Sequence, residues 1–156
     1  MSGVSKAIVQ PLLSWYDAGH RDLPWRSEPA PYRVWVSEIM LQQTRVEAVR
    51  GYFSRWMNAL PDIPALAAAD EAVYTKLWEG LGYYSRVRNL HRAAVLLCEQ
   101  YGGELPADYD RLLALPGVGE YTAGAVASIA FGLPVPAVDG NVLRIASRIT
   151  GWDRDV

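Results

Sequence analysis

Two carboxylates in this sequence stand in settings that push their proton affinities in opposite directions. Glu38 lies in a helical stretch, residues 32–43, with Val34 four residues before it, Trp35 three before and Leu41 three after. Side chains at those spacings share one helical face. A carboxylate on an apolar stripe loses solvation, so its neutral form is favoured and its pKa rises. Such a group suits general-acid work near neutral pH. The same pattern also fits a glutamate at the stripe's edge reaching water. Asp139 precedes Gly140 and Asn141 at the start of the last helix. Helix starts favour an ionised carboxylate. Its simpler role is an N-cap.

Between the two lies Leu115-Pro116-Gly117-Val118-Gly119-Glu120-Tyr121-Thr122-Ala123-Gly124. Pro116 ends the preceding helix, because it lacks an N–H and restrains its neighbour. Gly117 and Gly119 are expected to turn the chain with positive φ. Thr122 is expected to open a helix through residues 123–130. A tight turn feeding a helix leaves N–H groups pointing outward, a seat for a phosphate. A turn between two packed helices accounts for the same residues.

Other stretches carry side chains suited to bases and phosphates. Residues 21–26 form a loop with Trp25 and Arg26, able to clamp a base or to cap a core. Gln42-Gln43-Thr44 follows the Glu38 helix, where amides and a hydroxyl read base edges. Thr44 with Glu47 also fits a capping box for the next helix. Gly80-Leu81-Gly82-Tyr83-Tyr84-Ser85 is a glycine-rich turn, and Tyr83 beside Arg86 suits stacking or insertion into a duplex. Tyr84 reads as packing on a helix end.

The elements that position these groups are helices. Helical signals repeat from end to end and no alternating run argues for a sheet. Pro11 is expected in the first turn of a helix ended by Gly19. Prolines at 61 and 64 break the long helix of residues 45–60, and Asp70 is expected to cap the next one. Further helices are expected over 85–100 and 108–115. The 156 residues are 51% hydrophobic, with 6 Trp and 9 Tyr, enough for a sizeable core. A net charge of −2 does not by itself suggest nucleic acid. The charge is uneven, however: Arg86, Arg88 and Arg92 have no acid among them, and Arg144 and Arg148 follow the hairpin. No apolar run is long enough to span a membrane, and no secretory signal is evident. With Cys98 as the one cysteine, a reduced, cytoplasmic protein is expected. Cys98 itself reads as a core residue.

Taken together, these segments resemble the catalytic core of MutY-type adenine DNA glycosylases, within the helix-hairpin-helix base-excision superfamily. The matching motifs are Leu23-Pro24-Trp25-Arg26, the run from Pro31 through Glu38 to Thr44, the run from Glu79 to Arg86, the hairpin, and Ala137-Val138-Asp139-Gly140-Asn141-Val142. The resemblance implies an all-α fold. A helical barrel module would occupy 21–135, with the hairpin at 112–130. Residues 1–20 and 136–156 would belong to an incomplete second module. It also implies removal of adenine mispaired with 8-oxoguanine or guanine in double-stranded DNA, after base flipping. In that scheme Glu38 protonates adenine, Asp139 stabilises the oxocarbenium-like sugar, and Tyr121 joins the catalytic site. Trp25, Arg26, Leu41 and Asn141 would bind the substrate adenine and its sugar. Gln42, Gln43, Thr44, Tyr83, Arg86, Gly117, Val118, Gly119 and Thr122 would contact DNA. No metal ligand is expected in this stretch. The family's 4Fe-4S cluster needs four cysteines, which this chain lacks. A monomer nucleoid-associated in bacteria is expected. A thymine–guanine mismatch glycosylase, or a DNA-binding fragment without turnover, are the alternatives.

Overall fold

In a computed structural model, which describes residues 3–152, the chain is helical and no strand occurs among the described residues. It divides into two compact units. One is Leu23–Ala137; the other comprises the described residues flanking it.

The Leu23–Ala137 unit holds seven helices. They are α2 (Pro31–Leu41), α3 (Val46–Ala59), α4 (Ile63–Ala67), α5 (Glu71–Trp78), α6 (Ser85–Tyr101), α7 (Tyr109–Leu113) and α8 (Glu120–Phe131). Pro31 opens α2, where its missing N–H costs nothing. Val34, Trp35, Val36, Ile39 and Met40 are buried along α2, which packs on α3, α6 and α8. Trp56 meets Trp78 edge to face at 5.6 Å in the same core. The Trp56 indole N–H donates to the Tyr32 hydroxyl, which in turn donates to the Leu60 carbonyl. Those bonds meet the polar needs of buried aromatic rings.

Helix α8 is apolar almost all round, and residues 122–127 are buried. Its small side chains permit close packing. A Cβ on Gly124 would stand 2.2 Å from the Pro136 carbonyl oxygen, so the extended crossing over residues 134–137 requires glycine there.

Several local expectations change. Pro64 lies in the first turn of α4 rather than merely breaking a helix, and Asp62 caps α4 through the Ala65 N–H at 2.7 Å. Thr44 does not cap α3. Arg45 holds the cap position, and the Thr44 hydroxyl instead lies 3.4 Å from the Gln42 carbonyl. Asp70 stands at the cap position of α5 without a side-chain cap bond.

In the other unit lie α1 (Gly3–Gly19) and α9 (Gly140–Thr150). Pro11 falls inside α1, not in its first turn. Leu12, Leu13 and Trp15 on α1, and Val142, Leu143, Ile145 and Ile149 on α9, are exposed. No described helix is long and apolar enough to cross a membrane.

Candidate active site and nucleic-acid interface

The packing of α2 on α8 brings Glu38 to Tyr121. Glu38 is half-buried, and burial pushes its carboxyl above the ordinary value. A hydrogen bond from the Tyr121 hydroxyl and the positive charge of Arg26 oppose that shift without cancelling it. Arg33 on α2 donates to the Pro24 carbonyl at 2.9 Å and so anchors the loop carrying Trp25 and Arg26. Trp25 is buried, edge-on to Phe53 at 5.4 Å. Leu41, at the end of α2, stays half-buried.

Asp139 belongs to the flanking unit. One carboxylate oxygen accepts from the Val142 N–H at 2.8 Å, capping α9, and the other accepts from the Asn141 amide at 2.9 Å. These bonds, the backbone one foremost, hold its pKa below the ordinary value. Asn141 also accepts from Arg144 at 2.6 Å, so its amide is committed to this corner.

The hairpin turns at Gly117, whose φ is 76°. A Cβ there would meet the Asn89 Cβ at 2.6 Å, so both backbone and space demand glycine. Gly119 differs from expectation. Its φ of −96° is extended backbone, and it serves as the cap position of α8. Helix α8 begins at Glu120, two residues ahead of Thr122. Val118 is buried, its N–H bonded to the Leu115 carbonyl at 3.1 Å. Thr122 is buried too, and its hydroxyl accepts from the Gln42 amide at 3.3 Å. That bond ties the loop after α2 to the first turn of α8. The turn feeds the N-terminus of α8, whose dipole places partial positive charge there and suits an anion.

Tyr83 is 67% exposed and Gln43 is exposed as well, so both are available to a duplex. Thr44 is half-buried. The Arg86 guanidinium turns inward onto backbone carbonyls.

The family model described as HhH-GPD superfamily base excision DNA repair protein matches residues 36–155. This chain belongs to the HhH-GPD superfamily. Among its relatives, the adenine DNA glycosylase of Mus musculus is 50% identical over 153 residues, covering 92% of this chain and 30% of the relative. That of Homo sapiens is 49% identical over 153 residues, covering 92% and 28%. That of Mycolicibacterium smegmatis is 46% identical over 138 residues, covering 88% and 47%. The chain thus spans about 30% of the length of the two mammalian relatives. A thermostable thymine-DNA glycosylase superposes with a TM-score of 0.87 at 28% identity, over 92% of this chain and 67% of that one. A non-covalent endonuclease III–DNA complex gives 0.83 at 26% identity, over 99% and 73%.

Within this HhH-GPD chain, sequence reasoning missed Arg33, which anchors the Trp25 loop, and Asn89, which walls the hairpin glycine. Neither carries a local signal, because each acts on a distant segment. Among the described residues no group of three or more His, Cys, Asp or Glu is placed to hold a metal. One cysteine does not fit an iron-sulfur cluster, which requires four thiolates, so no chemistry of this chain is routed through one.

Proposed function

We propose that this chain carries the catalytic core of a DNA glycosylase that removes adenine mispaired with 8-oxoguanine or guanine. The observation that carries the reading is Glu38, a half-buried carboxyl with raised proton affinity, hydrogen-bonded by Tyr121 at the head of the hairpin helix. The identity with adenine DNA glycosylases supports the choice of base. The likeness to endonuclease III in complex with DNA supports a double-stranded DNA partner.

The adenine is flipped out of the duplex. The bond between the sugar's anomeric carbon and adenine breaks, and its electron pair leaves with the base. The Glu38 carboxyl gives its proton to the departing adenine. Asp139, kept ionised by its cap bonds, offers negative charge to the oxocarbenium-like sugar. A water adds its oxygen to the anomeric carbon, and its proton returns to the Glu38 carboxylate. The protein acts as a monomer on DNA in the cytoplasm.

The test is single-turnover release of adenine from a duplex with adenine opposite 8-oxoguanine, by this chain and by Glu38→Gln. Release by the first alone supports the reading. Salt-dependent duplex binding with no release by either points to a DNA-binding module without turnover. The likeness to a thymine-DNA glycosylase favours a second reading, thymine opposite guanine. Thymine release measured side by side decides between them.

A further inference from the structure

Gln43, at φ 59°, and Tyr83, at φ 49°, are the residues other than glycine with left-handed backbone among those described. Side chains with a Cβ adopt that conformation only where surrounding contacts hold them. The two stand on separate segments, the loop after α2 and the turn before α6. One side chain joins those segments. Arg86 Nη1 donates to the carbonyls of Ile39 at 2.8 Å, Met40 at 3.2 Å and Gln42 at 2.5 Å. Its Nη2 donates to the carbonyls of Leu81 at 3.1 Å and Gly82 at 3.2 Å, and lies 3.5 Å from the Thr44 hydroxyl. The guanidinium stands 5.3 Å from the Trp78 ring and 5.6 Å from the Tyr83 ring. One nitrogen thus satisfies the open carbonyls at the C-terminus of α2, where a cation is favoured. The other closes the glycine turn. Gln42 extends the tie to the hairpin helix through Thr122.

We infer that Arg86 is a positioning residue for recognition of the base opposite the excised adenine: it holds Gln43 and Tyr83 together in the backbone conformation that presents them to the duplex. The inference rests on the proposed glycosylase function. The fork is essential to it, because lysine gathers its donors at one point and cannot span two segments.

The experiment compares this chain with Arg86→Lys, Arg86→Gln and a core control on α4, Ile63→Val. Three quantities are measured: hydrogen exchange over residues 40–45 and 80–85, affinity for an undamaged duplex, and preference for 8-oxoguanine over guanine opposite adenine. Preference is read both in binding and in single-turnover release. In the Arg86 variants exchange accelerates in both segments together and the preference falls about tenfold or more. Affinity for undamaged duplex changes less than about threefold. The control leaves preference intact. Gln43→Gly, which relieves the backbone and leaves the Arg86 bonds in place, keeps the fold and loses preference, so the test survives poor folding of the Arg86 variants. Exchange that accelerates in one segment only, an unchanged preference, or equal losses in all quantities overturns the inference. If the parent chain shows no preference and no release, the functional reading fails, and exchange still decides whether Arg86 couples the segments.

Discussion

Tyr121, in the first turn of α8, donates a hydrogen bond to the Glu38 carboxyl on α2. The bond favours the charged form, so Tyr121→Phe raises the proton affinity of Glu38 further. A general acid loses activity as pH rises through its pKa. The descending limb of adenine release against pH therefore moves to higher pH in Tyr121→Phe, with the plateau rate within about tenfold of the parent. An unmoved limb would show that another group sets it.

The same burial destabilises the fold above the ordinary carboxyl range. The folded pKa of Glu38 lies above 4.5, so stability is full below that value and is lost as pH rises through the folded one. Glu38→Gln removes this loss. It melts higher than the parent near about pH 8, and the difference vanishes toward about pH 4. Thermal melts across that range check the sign.

Asp139 carries a cap and a charge, and two substitutions separate them. Asparagine caps as well as aspartate, so Asp139→Asn keeps stability within about 0.5 kcal/mol while adenine release falls roughly 10²–10³-fold. Asp139→Ala loses the cap as well, at a cost of about 1 kcal/mol. Denaturant unfolding beside single-turnover rates distinguishes the two.

The hairpin glycines are not equivalent. Gly117→Ala places a Cβ against Asn89 at φ 76° and costs about 2 kcal/mol or more, the left-handed strain plus the clash. Gly119→Ala meets nothing within 4 Å at ordinary φ and changes stability by less than about 0.5 kcal/mol. Equal melting losses in the two variants would contradict this asymmetry.

Position 121 is tyrosine, and the one lysine with a described side chain, Lys76, pairs with Glu79. Without an amine at the hairpin to form a Schiff base, the chain leaves abasic duplex intact until base is added. A nicked strand on a denaturing gel before base treatment would show otherwise.

How far the sequence could be read follows the range of the interactions. Helices, the Asp139 cap and the Gly117 turn depend on neighbours within about one turn of chain, and each stands as the residues suggest. Local reasoning failed where a side chain had two possible partners. Thr44 had a capping geometry available and turned to Gln42 instead. Arg86 reads in sequence as a cation beside an exposed tyrosine, a pair suited to a duplex. Besides the nearby Leu81 and Gly82 carbonyls, its guanidinium bonds carbonyls 44 to 47 residues back along the chain, at the end of α2, and no local pattern announces those. Gly119 shared the glycine signal of Gly117 but needed none of its freedom, since a helix cap is extended.

The sequence by itself determined an all-helical chain with a glycine hairpin, a glutamate on an apolar stripe and an aspartate at a helix start. These are consequences of periodicity and of each residue's own backbone limits. Only the tertiary structure decided which groups meet. Packing of α2 on α8 gave Glu38 its Tyr121 partner, buried Thr122, and turned the Arg86 fork onto two segments that sequence keeps apart. Hydrogen bonds are short-range, so their partners are fixed by where helices pack and not by spacing along the chain.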